Sequence, residues 1–316
     1  MKTFYWLVKR EFWENKGGFI TAPIVVGIVT FVINAMLIAI GEARMRFGDG
    51  NFHTNFSRAY EGADLAQAGA VIDGLLYGVT LMVLVVTAIV VFFYCLGSLY
   101  DDRRDRSILF WKSLPLSDTD TVLSKLVSAI LIAPAVAVVV GVISGLMLAM
   151  MFSLVGTYHG FSLWPLLMEA HPFKVVGTLI LLIPLYAIWA LPTVGWLMLC
   201  SAWARSKPFL WAIALPLGSG VIVAWMSMMA GLHGLTNSYW HYVVARLLGS
   251  LLPGGWLSET SRLAGLDSDD PAGALSKFNL AYHYSALAQP SAWIGALAGI
   301  AMIGGAIWFR RWRDDS

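Results

Sequence analysis

Tyr100-Asp-Asp-Arg-Arg-Asp-Arg-Ser-Ile-Leu-Phe-Trp-Lys-Ser-Leu-Pro-Leu-Ser117 is a dense charged and amphipathic segment, and the residues on either side of it decide the fold. Gly74–Leu99 before it and Leu126–Phe152 after it are long apolar runs. Each exceeds the roughly 20 residues, at about 1.5 Å of rise each, that a helix needs to cross the hydrocarbon of a bilayer. Four further runs meet the same test: Phe19–Gly41, Val175–Ala204, Phe209–His233 and Ser291–Phe309. Their hydrophobicity is continuous rather than alternating, which predicts helices and not a barrel, because lipid offers no partner for open backbone groups. Only 13% of the 316 residues are charged, against about 25% in soluble domains. The fold expected is therefore an all-α polytopic membrane protein with six transmembrane helices. A net charge of +2 is too small to point to nucleic acid.

Lysine and arginine orient the spans. With both ends on the cytoplasmic side, the inner segments hold 14 of the 21 basic residues. They include Lys2, Lys9, Arg10 and Lys16, the cluster Arg103, Arg104, Arg106, Lys112 and Lys125, and Arg310, Arg311 and Arg313. The positive-inside rule thus favours cytoplasmic termini. Trp164, Trp203, Trp211, Trp293 and Trp308 fall near span ends, where the indole suits the headgroup zone. Glu11 and Glu14 in the first 18 residues, and the length of the first apolar run, argue for a retained anchor over a cleaved signal peptide. Cys95 and Cys200 lie inside spans and read as small buried hydrophobes.

Three parts follow. Residues 1–18 are an interfacial elbow helix, 19–309 the six-helix domain, and 310–316 a cytoplasmic tail. In the first part Lys2, Lys9 and Lys16 share one stripe, Phe4, Val8 and Phe12 oppose it, and Gly17-Gly18 breaks the helix. The long outer loop 234–290 opens with an apolar, aromatic stretch, Tyr239–Leu252, too short to cross and stopped by Pro253-Gly254-Gly255. This predicts a re-entrant or interfacial helix, with Pro253, Gly254, Gly255 and Trp256 as candidate gate residues. Gly141-x-x-x-Gly145 and Gly295-x-x-x-Gly299 allow close helix approach, within one subunit or between two. Pro134, Pro184, Pro192 and Pro216 lie within spans and invite kinks.

No span carries an ionisable group away from its edges. Ion-coupled carriers keep such groups in the bilayer despite their cost, so a secondary carrier is disfavoured. The chain has no H-E-x-x-H zinc motif and no G-x-x-x-x-G-K-[ST] phosphate loop. It is not expected to be an enzyme, to hold a metal or to hydrolyse ATP. All six histidines fall in or beside outer loops, with no ligand spacing among them.

Within 100–117, Asp101, Asp102, Arg103, Arg104, Asp105 and Arg106 alternate in sign, Ile108, Leu109 and Trp111 form an apolar patch, and Leu114 lies one turn beyond Trp111. Pro115 ends this helix and Ser117 can cap the next, which leads through Lys125 into the third span. A mixed-charge helix with an exposed aromatic is a docking surface: charges set register and the aromatic anchors.

These residues resemble permeases of the ABC transporter type-2 family. The family pattern is an acidic/Arg pair, a hydrophobic run, Leu-Pro-[Val/Leu]-Ser, then Lys. Here it is met by Asp102-Arg103 or Asp105-Arg106, Ile108-Leu109, Leu114-Pro115-Leu116-Ser117 and Lys125. The Gly-Thr common after the acidic/Arg pair is replaced by Arg104-Asp105 or Arg106-Ser107. The resemblance implies a coupling segment at 100–117, with Asp101, Asp102, Arg103, Arg104, Asp105, Arg106, Trp111, Leu114 and Pro115 meeting a separate ATP-binding subunit that holds ATP and Mg. It also implies a second permease subunit, as homodimer or heterodimer, and a bacterial cytoplasmic (inner) membrane location. The function implied is that of the permease half of an ATP-driven exporter. A sensing or maturation complex on the same scaffold is the alternative. The few polar groups in the spans, among them Thr30, Asn34, Thr80, Thr87, Ser144, Thr178 and Thr193, suit a hydrophobic or amphipathic cargo.

Overall fold

The computed structural model describes residues 2–47, 65–105, 117–158, 164, 171–231, 233–258, 260 and 279–312. Among these there is no strand. The helices are α1 (Lys2–Glu14), α2 (Ala22–Phe47), α3 (Leu65–Ser98), α4 (Tyr100–Arg104), α5 (Asp118–Val127), α6 (Ala133–Tyr158), α7 (Pro172–Trp203), α8 (Pro208–Ala230), α9 (His233–Tyr239), α10 (Ala245–Gly249), α11 (Leu280–Tyr284) and α12 (Pro290–Trp312). Six stretches are long and apolar enough to cross a bilayer: Gly17–Ala43, Ile72–Arg104, Asp118–Tyr158, Pro172–Trp203, Pro208–Ala230 and Pro290–Trp312. The chain is a multi-pass membrane protein, and each expected span has its counterpart.

The helix joints differ from the expectation in one respect. Gly17-Gly18 does not stop the chain. These residues enter a π-turn, Gly17–Thr21, that carries α1 into α2. A glycine without a Cβ accepts a widened turn, and nothing lies within 4 Å of a Cβ at Gly17. A second π-turn, Ser128–Ile132, joins α5 to α6, so the third span begins at Asp118 and places Lys125 two turns inside a helix. Pro134 follows that turn, and the widened backbone accommodates its missing N–H within the span.

Two compact units divide the chain. One comprises Gly17–Thr87 and Ala135–Ile180. Its core is Leu76, Val138, Val142, Val175 and Leu179. Gly141 and Gly145 make the close approach: a Cβ on Gly141 would sit 2.7 Å from the Thr80 Cα, and one on Gly145 2.9 Å from Leu76 Cδ2. The Asp73 carboxylate accepts the His171 backbone N–H at 2.9 Å, at the start of α7.

The other unit comprises Met1–Lys16, Ala88–Pro134 and Leu181–Ser316. Here α7 and α12 touch backbone to backbone. A Cβ on Gly195 would lie 2.5 Å from the Gly299 carbonyl oxygen, and one on Gly299 2.5 Å from the Leu191 carbonyl carbon. Both small-residue motifs thus serve packing inside this one chain.

The stretch from α9 to Trp256 lies along the middle of neighbouring spans. Tyr239 donates to Ser219 Oγ at 2.9 Å and the Trp240 ring covers Gly220, both central in α8. Thr193 of α7 donates to the Arg246 carbonyl at 2.9 Å and accepts the Ser250 N–H at 3.1 Å. Arg246, placed in an outer loop by sequence, is buried, its guanidinium 3.7 Å from the Trp189 ring centroid. Trp189 is 14 residues from the end of α7, about 21 Å along the axis.

Gly299→Ala should therefore lower stability by about 1–3 kcal/mol, the usual cost of overpacking a tight contact. Gly177→Ala, where a Cβ meets nothing within 4 Å, should be neutral or slightly stabilising. Unfolding midpoints in detergent, followed by tryptophan fluorescence, give the comparison.

Candidate functional site

The site begins on α1. Leu7 and Glu11, one turn apart, form its buried stripe, while Tyr5, Trp6 and Trp13 are exposed. Glu11 is 1% exposed. A carboxylate so desolvated costs several kcal/mol unless it is paired and hydrogen-bonded. Three groups meet it: Lys125 Nζ at 3.1 Å, Arg10 Nη2 at 2.7 Å and the Tyr94 hydroxyl, which donates at 3.0 Å.

Lys125 is placed by the start of α5. Ser117 is extended (φ −79, ψ 142) and its Oγ accepts the Asp120 N–H at 3.0 Å, a side-chain N-cap. From that cap Asp118 and Lys125 are seven residues apart and share one face of the helix. Lys125 points to Glu11 and, at 3.6 Å, to Asp102 of α4. Asp118 accepts from Arg310 Nε at 3.0 Å. The same guanidinium donates through Nη1 to Asp102 at 3.0 Å. Arg310 stands in the last turn of α12, where the helix dipole favours a cation.

The result is an alternating file: Arg10, Glu11, Lys125, Asp102, Arg310, Asp118. It ties α1, α4, α5 and α12 through side chains whose inner members are buried and whose ends reach solvent.

A second clasp holds α4 to α7. Arg103 Nη2 donates to the carbonyls of Ser201 (2.6 Å) and Ala204 (2.9 Å), acceptors left open at a helix C-terminus. Ser201 Oγ accepts the N–H groups of Leu99 and Tyr100 at 3.0 and 2.9 Å, where α3 gives way to α4.

The run of charges read from the sequence as one surface therefore divides. Asp102 and Arg103 are engaged within the chain, whereas Asp101, Arg104 and Asp105 are exposed. Arg106, Trp111, Leu114 and Pro115 lie outside the described residues. Of the gate residues, Gly254 has φ +79 and Gly255 lies against the Trp189 ring. Pro253 is half-buried, and the buried Trp256 donates its indole N–H to His283 Nδ1 at 2.9 Å. Sequence reasoning missed Glu11, Asp118 and Arg310 as partners. The available signals were an acid on the apolar stripe of α1 and the seven-residue spacing of Asp118 and Lys125.

Among the described residues no group of His, Cys, Asp and Glu is arranged to hold a metal ion. No family model, curated protein or solved structure matches this chain.

Lys125→Met removes the central cation and leaves the buried Glu11 with the Arg10 guanidinium and the Tyr94 hydroxyl. It should destabilise the protein by about 3–5 kcal/mol, as breaking a buried pair does. The double variant Glu11→Leu/Lys125→Met should regain most of that loss, since apolar side chains suit the same space. Thermal unfolding of the four proteins of this cycle reads both effects.

Proposed function

We propose that this chain is the permease subunit of an ATP-driven ABC-type exporter. In this reading α4 and the residues after it form the surface on which a separate ATP-binding subunit pushes. One observation carries the reading: α4, only five residues long, is fastened on its inner side to α5, α7 and α12 while Asp101, Arg104 and Asp105 are exposed. A five-residue helix has little stability of its own. Fastened in this way, it can pass a displacement to whole spans as a rigid lever. The outward residues remain available to a partner.

The other parts fit the same scheme. α1, with its exposed aromatics, acts as an elbow helix in the headgroup zone of a bacterial inner membrane. The 233–256 stretch, lying beside the centres of α7 and α8, acts as a re-entrant element. Both termini are cytoplasmic, on the side of the 100–117 segment. Two permease chains and two ATP-binding chains make the transporter, and its cargo is hydrophobic or amphipathic.

Trp111→Ala should abolish co-purification with the ATP-binding subunit and ATP-driven transport while leaving membrane insertion intact. Truncating an aromatic anchor costs about 2–4 kcal/mol, roughly 30- to 1000-fold in affinity. Arg106→Glu should act alike, and Arg262→Glu should not. Retention of full ATPase binding by Trp111→Ala would overturn the coupling assignment.

Topology is tested after Cys95 and Cys200 are replaced. Thiols introduced by Ser117→Cys and Ser316→Cys should be shielded from an impermeant reagent in intact cells, and one from Ser268→Cys should react. Labelling of the Ser316→Cys protein from outside would contradict cytoplasmic termini.

A further inference from the structure

Trp256 and His283, 27 positions apart in the chain, tie the end of the 233–256 stretch to α11: the indole N–H donates to His283 Nδ1 at 2.9 Å. The two rings meet edge to face with centroids 6.0 Å apart, and the Tyr282 ring meets the imidazole in the same way at 6.2 Å. The pair is enclosed, Trp256 being 4% exposed and His283 8%. Two further bonds hold the flanks to α7. Tyr186 donates to the Leu251 carbonyl at 2.9 Å, and Tyr284 donates to the Leu181 carbonyl at 2.7 Å. The Trp256–His283 bond joins these two flanks to each other.

This bond selects a protonation state. An indole N–H can only donate, so the nitrogen that it meets must carry a free lone pair. A proton on Nδ1 would set two N–H groups against each other. It would also bury a cation, which is costly unless an anion stands beside it. The described segments that pack here, 172–203, 233–258 and 279–312, contain no Asp or Glu. Their charged and titratable groups around the pair are Tyr186 on α7, Arg246 on α10, and Tyr282 and Tyr284 on α11. Arg246 lies over the Trp189 ring, whose indole nitrogen would be 3.1 Å from a Cβ on Gly255, the neighbour of Trp256. A guanidinium there opposes a second cation.

We propose that Trp256 and His283 form an acid-released latch. Shut, it requires a neutral imidazole. Open, the ring reaches water and takes up a proton below about pH 6.5, as a free histidine does. A proton bound only by the open form favours opening about tenfold for each pH unit below that point. The latch is therefore fully shut above the imidazole range and is lost as the pH falls through it. Acid frees the end of the 233–256 stretch from α11. The contact of α7 with α12, made through Gly195 and Gly299, holds no titrating group and stays closed. The latch stands on this one bond and does not depend on the exporter reading.

The test is backbone amide exchange of residues 250–257 and 280–286 in the purified full chain in neutral detergent, at pH 7.5 and pH 5.5, with each rate divided by the intrinsic rate at that pH. Opening in the wild-type protein should rise about tenfold between the two conditions, as one proton bound only by the open form requires. His283→Asn puts a carbonyl oxygen where Nδ1 stands and cannot titrate, so its opening should be the same at both. His241→Asn, on the same stretch but outside the bond, should keep the tenfold ratio. Trp256→Phe deletes the donor and should raise opening at pH 7.5 about fivefold, the usual effect of one lost hydrogen bond. Wild-type opening that does not change with pH would overturn the latch, and this result needs no variant to fold. A tenfold ratio that survives His283→Asn, or that is lost in His241→Asn, would place the proton on another group and overturn the assignment. Unchanged opening in Trp256→Phe would overturn the role of the bond. No ATP-binding subunit is present, so failure here leaves the exporter reading standing.

Discussion

Glu11 cannot be buried alone. A carboxylate taken from water at the edge of a membrane must carry a cation with it, and the one that reaches it most deeply is Lys125. This requirement fixes how α1 lies on α5, because Nζ must come within about 3 Å of the carboxylate. Lys125 has a second acid to serve, Asp102, and through Asp102 the constraint passes to Arg310 and Asp118. Four elements from distant parts of the sequence are set by one chain of charges. Such a file contributes little net stability compared with apolar packing of the same volume. What it supplies is a single allowed register, since each acid fits only where its cation stands.

Close packing and charge do different work in the unit that holds α1, α4 and α12. The α7–α12 contact through Gly195 and Gly299 admits no side chain and makes that helix pair a stiff frame. The 233–256 stretch is then fixed to the frame by hydrogen bonds from Thr193 and Tyr186 and by the Arg246–Trp189 stack. An arginine at that depth is costly, and the aromatic face and the Ser291 carbonyl, 3.4 Å away, offset part of the cost. α4 joins the same frame through Arg103 at the end of α7. α4 is thereby tied to α7 and α12 by side-chain contacts as well as by the backbone.

The spans were legible in the sequence because hydrocarbon thickness imposes length and continuity that loops do not imitate. Lys125 illustrates the limit. Composition marks it as a charge at a span edge, and an exposed or a buried position would read alike, because burial depends on a partner 114 residues away. The same holds for Arg246, whose neighbours suggest a loop residue and whose position is set by Trp189. Asp102 and Arg103 read from the sequence as docking charges, and their contacts in the structure lie within the chain, at Lys125, Arg310, Ser201 and Ala204. Gly17-Gly18 misled in the opposite direction: glycine pairs often end helices, yet here a π-turn absorbs them and the chain continues into α2. The glycines at 141, 145 and 299 were recognisable by spacing, and which helix each one meets is set by tertiary packing.

α4 depends on its ionic contacts and not on its own helicity. Hydrogen exchange of the backbone amides of residues 99–105 reads this directly, because a five-residue helix left to itself exchanges almost freely. Slow exchange in the wild-type protein, rising by an order of magnitude or more in Arg310→Gln with the rest of the chain still protected, is the expected result. Free exchange of these amides in the wild-type protein, or equal protection in the variant, would contradict the claim.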